Sequence, residues 1–183
     1  VTAILRRYST HRPDHGTIQC AGISAGTDTD GIHCDAGPYA TTIALLPLAP
    51  PLSSPFKDLN SLHSLAAKLL WVGRVARPDV LTNTTQLANR LATGVDARWA
   101  NDTLATLTRL PIALHYPKLD LSSLQVFVFA DYSGSATSPI PQCQIGDLVA
   151  LVDSSHRFLL LHWASHRPHR VCRGSCAGEL QAL

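Results

Sequence analysis

The sequence predicts an α+β chain in which helices come first and strands afterwards. Three observations carry that expectation. Between Ser61 and Pro111 apolar residues recur at helical spacing. Beyond residue 111 the runs "IALHY", "LQVFVFA", "DLVALVD" and "RFLLLHWAS" are short and rich in β-branched and aromatic side chains. The change of period falls near Tyr116-Pro117, which divides the chain into a unit at 1–116 and a second at 117–183. With 45% hydrophobic and 15% charged residues, the chain has the composition to bury a core rather than stay disordered.

Apolar residues alternate from Thr17 to Ile23, and "TDTDG" supplies an Asp30-Gly31 turn before Ile32 and Cys34 resume, which reads as a hairpin. The following "TTIALLPLAPPLSSPF" carries prolines at 47, 50, 51 and 55 and reads as a stiff, irregular connector. Leu62, Leu65, Ala66, Leu69 and Val72 form one stripe of a helix that begins at Ser61 and stops before Pro78. Pro78 and Asp79 suit the first turn of a second helix, with Leu87, Ala88 and Leu91 on its apolar side and its end near Thr93-Gly94. Trp99, Thr103, Leu107 and Leu110 propose a third, closed by Pro111. In "VFVFADYSGS", Val126, Val128 and Ala130 alternate with Phe127 and Phe129, so both faces read as buried and Asp131 sits where the strand emerges. The last stretch, "CAGELQAL", reads as the opening turns of a helix.

Composition narrows function only a little. A formal charge of +2 is too small to argue for nucleic acid by itself. No apolar run approaches the roughly 20 residues that cross a bilayer, so no membrane span is expected. The chain begins at Val1 and contains no methionine, which reads as an interior piece of a longer frame. Five cysteines are an odd number and favour a reduced intracellular protein, although Cys20 and Cys34 facing each other on the hairpin is an alternative that spacing does not settle.

The carboxylate Asp131, read together with Glu179, gives the C-terminal part a specific likeness. "FADYSGSA", "QIGDLVALVD" and "SHRPHRVCRGSCAGELQAL" together resemble the ribonuclease H domain of copia-type retrotransposon polyproteins in order and spacing. Upstream, "SLHSLAAKLLWVGRVARPDV" is similar to the segment after the reverse-transcriptase palm in that family, and "AGIS…DGIHCDAGPYA" looks like its palm–thumb hairpin. The resemblance spans about residues 17 to 183. It departs from the family at Ala36, Ala67, Cys143 and Gly174.

The resemblance implies a helical thumb and connection followed by a mixed ribonuclease H-like sheet, truncated after its first helix begins. It implies RNA-directed DNA synthesis and hydrolysis of the RNA strand of an RNA–DNA hybrid. Two Mg²⁺ ions would activate water and stabilise the leaving oxygen, with Asp131 and Glu179 as metal ligands and catalytic carboxylates. The family's remaining acids fall beyond Leu183, and no Asp-Asp pair occurs to serve a polymerase centre, so neither activity is expected of the chain as given. The implied partners are an RNA–DNA hybrid and the rest of the polyprotein, in the cytoplasm or nucleus.

Two rival readings remain. Arg167, Arg170 and Arg173, with Lys68, Arg74 and Arg77, have the chemistry to contact phosphates as a non-catalytic binding remnant; for Arg74 and Arg77, solvation or a helix-end role is the blander alternative. His166, His169, Cys172 and Cys176 have spacings compatible with a small zinc module. Trp71, Trp99 and Trp163 read as core residues rather than base-stacking platforms, and Asp153, Ser154 and Ser155 as a polar turn rather than part of a triad. A sheet without further strands should expose an apolar face and aggregate.

Overall fold

A computed structural model describes residues 17–89, 92–134, 143–168 and 182. The chain is α+β, as its sequence predicts, with two antiparallel sheets around a helical middle. Strands β1 (Ile18–Cys20), β2 (Ile23–Thr27) and β3 (Gly31–Asp35) form two successive hairpins rather than the single one expected. The extra turn is Ala21-Gly22, whose φ values of 50° and 85° supply the left-handed backbone of a two-residue loop. At the second turn Asp28 Oδ1 accepts from the backbone N–H groups of Asp30 (2.7 Å) and Gly31 (2.8 Å). Cys20 and Cys34 do not face each other: Cys20 pairs with Ile23 and Cys34 with Ala25, and both carry free thiols.

A single helical turn, α1 (Gly37–Ala40), leads into the proline-rich connector. Although irregular, that connector buries Ile43 and Leu46, and Asn101 pins it by accepting from Leu46 N–H and donating to Leu46 C=O, both at 2.9 Å. Helix α2 (Leu59–Val75) opens on Asp58, whose carboxylate accepts from Ser61 N–H and Oγ. Its expected stripe of Leu62, Leu65, Ala66, Leu69 and Val72 is buried throughout. A 3₁₀ turn (Pro78–Val80) runs directly into α3 (Leu81–Ala88).

Thr93-Gly94 does not end that second helix, as the sequence reading had it, but starts the next. In α4 (Gly94–Arg109) the Thr93 hydroxyl accepts from Asp96 N–H while Asp96 Oδ2 accepts from Thr93 N–H at 2.9 Å, a reciprocal capping box. Leu87, Ala97, Ala100, Leu104 and Leu107 complete the core against the α2 stripe. No helix among the described residues is long and apolar enough to cross a membrane.

Strand β4 (Leu114–Pro117) then returns to pair with β3, completing a sheet in the order β1-β2-β3-β4. The other sheet is a meander of β5 (Gln125–Ser133), β6 (Gln144–Val152) and β7 (Phe158–His166). Where a mixed sheet was expected, every pairing among these strands is antiparallel. Asp153 makes the β6–β7 turn as expected, accepting from Ser155 N–H, Arg157 N–H and the Arg157 guanidinium. Trp163 on β7 donates to Gly73 C=O at 2.8 Å and so ties this sheet to α2.

Two burial expectations fail. Strand β5 is not buried on both faces: Val126, Phe127, Val128 and Phe129 are all exposed, because the described residues leave its faces largely uncovered. Trp71, expected in the core, is 41% exposed and donates to Ala21 C=O at 3.2 Å. Its indole bridges helix and hairpin.

Candidate functional site

Asp131 is the seventh residue of nine in β5, within the strand rather than at its end. Cross-strand pairing sets it opposite Gly146, which in turn pairs with Ser165. Alternation along the strands therefore gives Phe129, Asp131, Leu148, Trp163 and Ser165 one common face. That face turns toward the start of α3, where Pro78, Leu81 and Thr82 form the other wall of an open cleft of about 390 Å³. A Cβ at position 146 would meet nothing within 4 Å, so the space beside the Asp131 carboxylate is open.

The cleft is mainly apolar, with a polar floor. Ser165 is buried, receives a hydrogen bond from Gln144 Nε2 at 2.7 Å and lies 3.3 Å from the Thr82 hydroxyl. Asp147, next along β6, points to the opposite face, where it meets His162 at 3.0 Å and His166 at 3.7 Å. Both acids line the cleft, but their side chains leave opposite faces of the sheet.

Two Mg²⁺ ions need several oxygen ligands converging on one cavity. Among the described residues the cleft is lined by two acids, Asp131 and Asp147, the second with its carboxylate turned to His162 and His166, and no group of three potential ligands includes Asp131, so these side chains do not by themselves fit that metal pair. Glu179 lies outside the described residues, as do Arg170 and Arg173. Arg167 is exposed just past β7. Of the zinc arrangement, His166 is engaged by Asp147 and Arg167 C=O, while His169, Cys172 and Cys176 fall outside the described residues.

Arg77 corrects the phosphate-binding reading. It is 3% exposed, clamps Asp79 through Nε and Nη2 at 2.8 and 2.7 Å, and donates Nη1 to Leu110 C=O at 2.9 Å. It serves a helix end, but that of α4 rather than its own. Arg74 and Lys68 are exposed.

A second constellation escaped the sequence reading. Asp28, His33 and His115 place their ligating atoms within 4.8 Å of one another. His33 and His115 are direct cross-strand partners on β3 and β4, and their rings stack with centroids 4.3 Å apart. His33 Nε2 meets Asp28 Oδ2, and that contact, with the N–H groups of Gly31 and Asp30, holds the Asp28 carboxyl down to about 2. An Asp and a His flanking one turn were visible in the sequence; the pairing of position 33 with position 115 was not.

Against family models, curated proteins and solved structures alike, the chain finds no match.

Proposed function

We propose that the chain is a piece of a copia-type retroelement polyprotein, running from the reverse-transcriptase thumb and connection into the start of a ribonuclease H domain. The observation that carries this reading is Asp131 on the first strand of a three-stranded antiparallel meander, facing a cleft shared with the preceding helical unit. The motifs shared with that family run in the same order through both units. The ancestral chemistry is DNA synthesis on an RNA template and metal-dependent hydrolysis of hybrid RNA. Mg²⁺ would supply the activated water; Asp131 and Glu179 would be its remaining protein ligands.

The described residues bring too few carboxylates to the cleft face to run that reaction. One acid on the cleft face leaves a hard divalent ion with most of its shell as water. The purified chain is therefore expected to show no Mg²⁺-dependent cleavage of an RNA–DNA hybrid above that of Asp131→Asn; turnover that depends on Asp131 would refute the inactive assignment. The ancestry itself is tested in the flanking nucleotide sequence, which should encode a paired-aspartate palm turn upstream and further acids downstream. Flanks encoding neither would remove it. Binding without cleavage is the second reading, and exposed Arg167, with Arg170 and Arg173 following it in the sequence, favours it. It expects salt-dependent retention of a hybrid duplex that weakens when the three arginines become glutamine.

A further inference from the structure

We propose that Asp28, His33 and His115 form a binding site for a late first-row divalent cation of the zinc class, built on the β2–β3 turn and the β3–β4 pair. This site shares no residue with the cleft at Asp131 and does not depend on the reading above.

The donor set decides the class of ion. Two imidazoles and one carboxylate match the nitrogen and oxygen preference of zinc, whereas magnesium takes oxygen ligands almost throughout. The three donors are already gathered within 4.8 Å. Donors of a tetrahedral zinc ion sit about 3.3 Å apart, from bond lengths of about 2.0–2.1 Å. Closing that difference requires the two rings, parallel to within 13°, to tip toward each other about their outer side-chain torsions.

Three further features make the cluster a built arrangement. His115 Nε2 is buried and makes no hydrogen bond; its nearest acidic neighbour, Asp30 Oδ2, stands 3.7 Å away. A ring nitrogen left without a partner is costly unless something else takes its lone pair or proton. The Asp28 carboxylate is held by its turn through Oδ1, with Oδ2 presented to His33. Such outer hydrogen bonds are what orient a metal-binding carboxylate. Finally, the turn is anchored to β4: Lys118 N–H donates to Asp30 C=O and Lys118 Nζ to Thr29 C=O, both at 2.8 Å. Gly31 completes the fit, since a Cβ there would lie 2.2 Å from Tyr116 C=O and 3.0 Å from His115 Nε2. On binding, the ion would take the place of the proton between Asp28 and His33, and Asp30 is the nearest candidate for a fourth ligand.

The decisive measurement is made on the unmutated chain: ¹⁵N resonances of the histidine rings followed while zinc chloride is added, with calorimetry in parallel. The expected result is a saturable site at which the Nε2 signals of His33 and His115 shift together, while magnesium chloride at the same concentration moves neither. Asp28→Asn and His115→Ala should each weaken that site by about tenfold or more. His162→Ala and the double change Cys172→Ser with Cys176→Ser should leave it intact. Zinc that leaves the His33 and His115 signals in place overturns the proposal, as does a site lost only in the cysteine variant. Equal shifts with magnesium overturn the assigned class of ion.

Discussion

Arg77 shows how much one side chain can join. Its three nitrogens reach Asp79 on the turn before α3 and the carbonyl that closes α4, so two helix ends share one buried guanidinium. Removing it leaves Leu110 C=O and a half-exposed carboxylate without their donor. Arg77→Ala should cost about 2–3 kcal/mol in urea denaturation, and Arg77→Lys should recover little because an ammonium cannot bridge in fork geometry. A loss below about 0.5 kcal/mol would show that water replaces the guanidinium.

Asp153 makes a complementary point about pH. The backbone N–H of Asp120 is the largest influence holding its carboxyl down to about 2 from 3.8, and the backbone and guanidinium of Arg157 and the N–H of Ser155 add to it. A carboxyl depressed in the folded state stabilises it fully above the free value and loses that contribution as pH falls through the folded one. Acid unfolding between about pH 4 and 2 should therefore be less steep in Asp153→Asn, which is also less stable at neutral pH. Parallel acid profiles for the two proteins would assign the steepness to Asp28, Asp58, Asp79 and Asp120, which are also depressed.

At the scale of elements, helix α4 depends on the box at its start. Thr93→Ala removes the acceptor for Asp96 N–H and should cost about 1–2 kcal/mol, while Thr93→Ser should retain most of it; equal losses would assign the effect to the methyl group's packing. The same position explains a misreading. Glycine after an apolar stripe suits a helix end, but it also suits a first helical residue, and only the Asp three positions after Thr93 distinguishes the two. Strands β4 to β7 and the stripe of α2 were legible because period alone identifies them. The Ala21-Gly22 turn was not, because alternation runs on either side of it and gave no sign of a break. Nor was the His33–His115 pair, which exists only once β4 returns across the helical unit to β3.

At the scale of the whole molecule, the question is what lies beyond β5. Alternation of Val126, Phe127, Val128 and Phe129 correctly announced a strand, but burial depends on what stands opposite, and that is not written in the strand itself. Among the described residues β6 satisfies one edge, α3 and the cleft lie along one face, and the face carrying Val126 and Val128 is exposed. Val128 is 67% exposed beside a strand edge that no described residue pairs, which is a template for strand addition from a second copy. A lysine there would keep the cross-strand pairing with Val149, since only the solvent side of the pleat changes, and would place a charge where two copies meet. Light scattering behind a sizing column should find the native chain associating by protein concentrations on the order of 100 µM, and Val128→Lys monomeric at the same concentration with unchanged helix and strand content. If the native chain stays monomeric there, the exposed edge of β5 does not recruit a second copy, and the lysine will have nothing to repair.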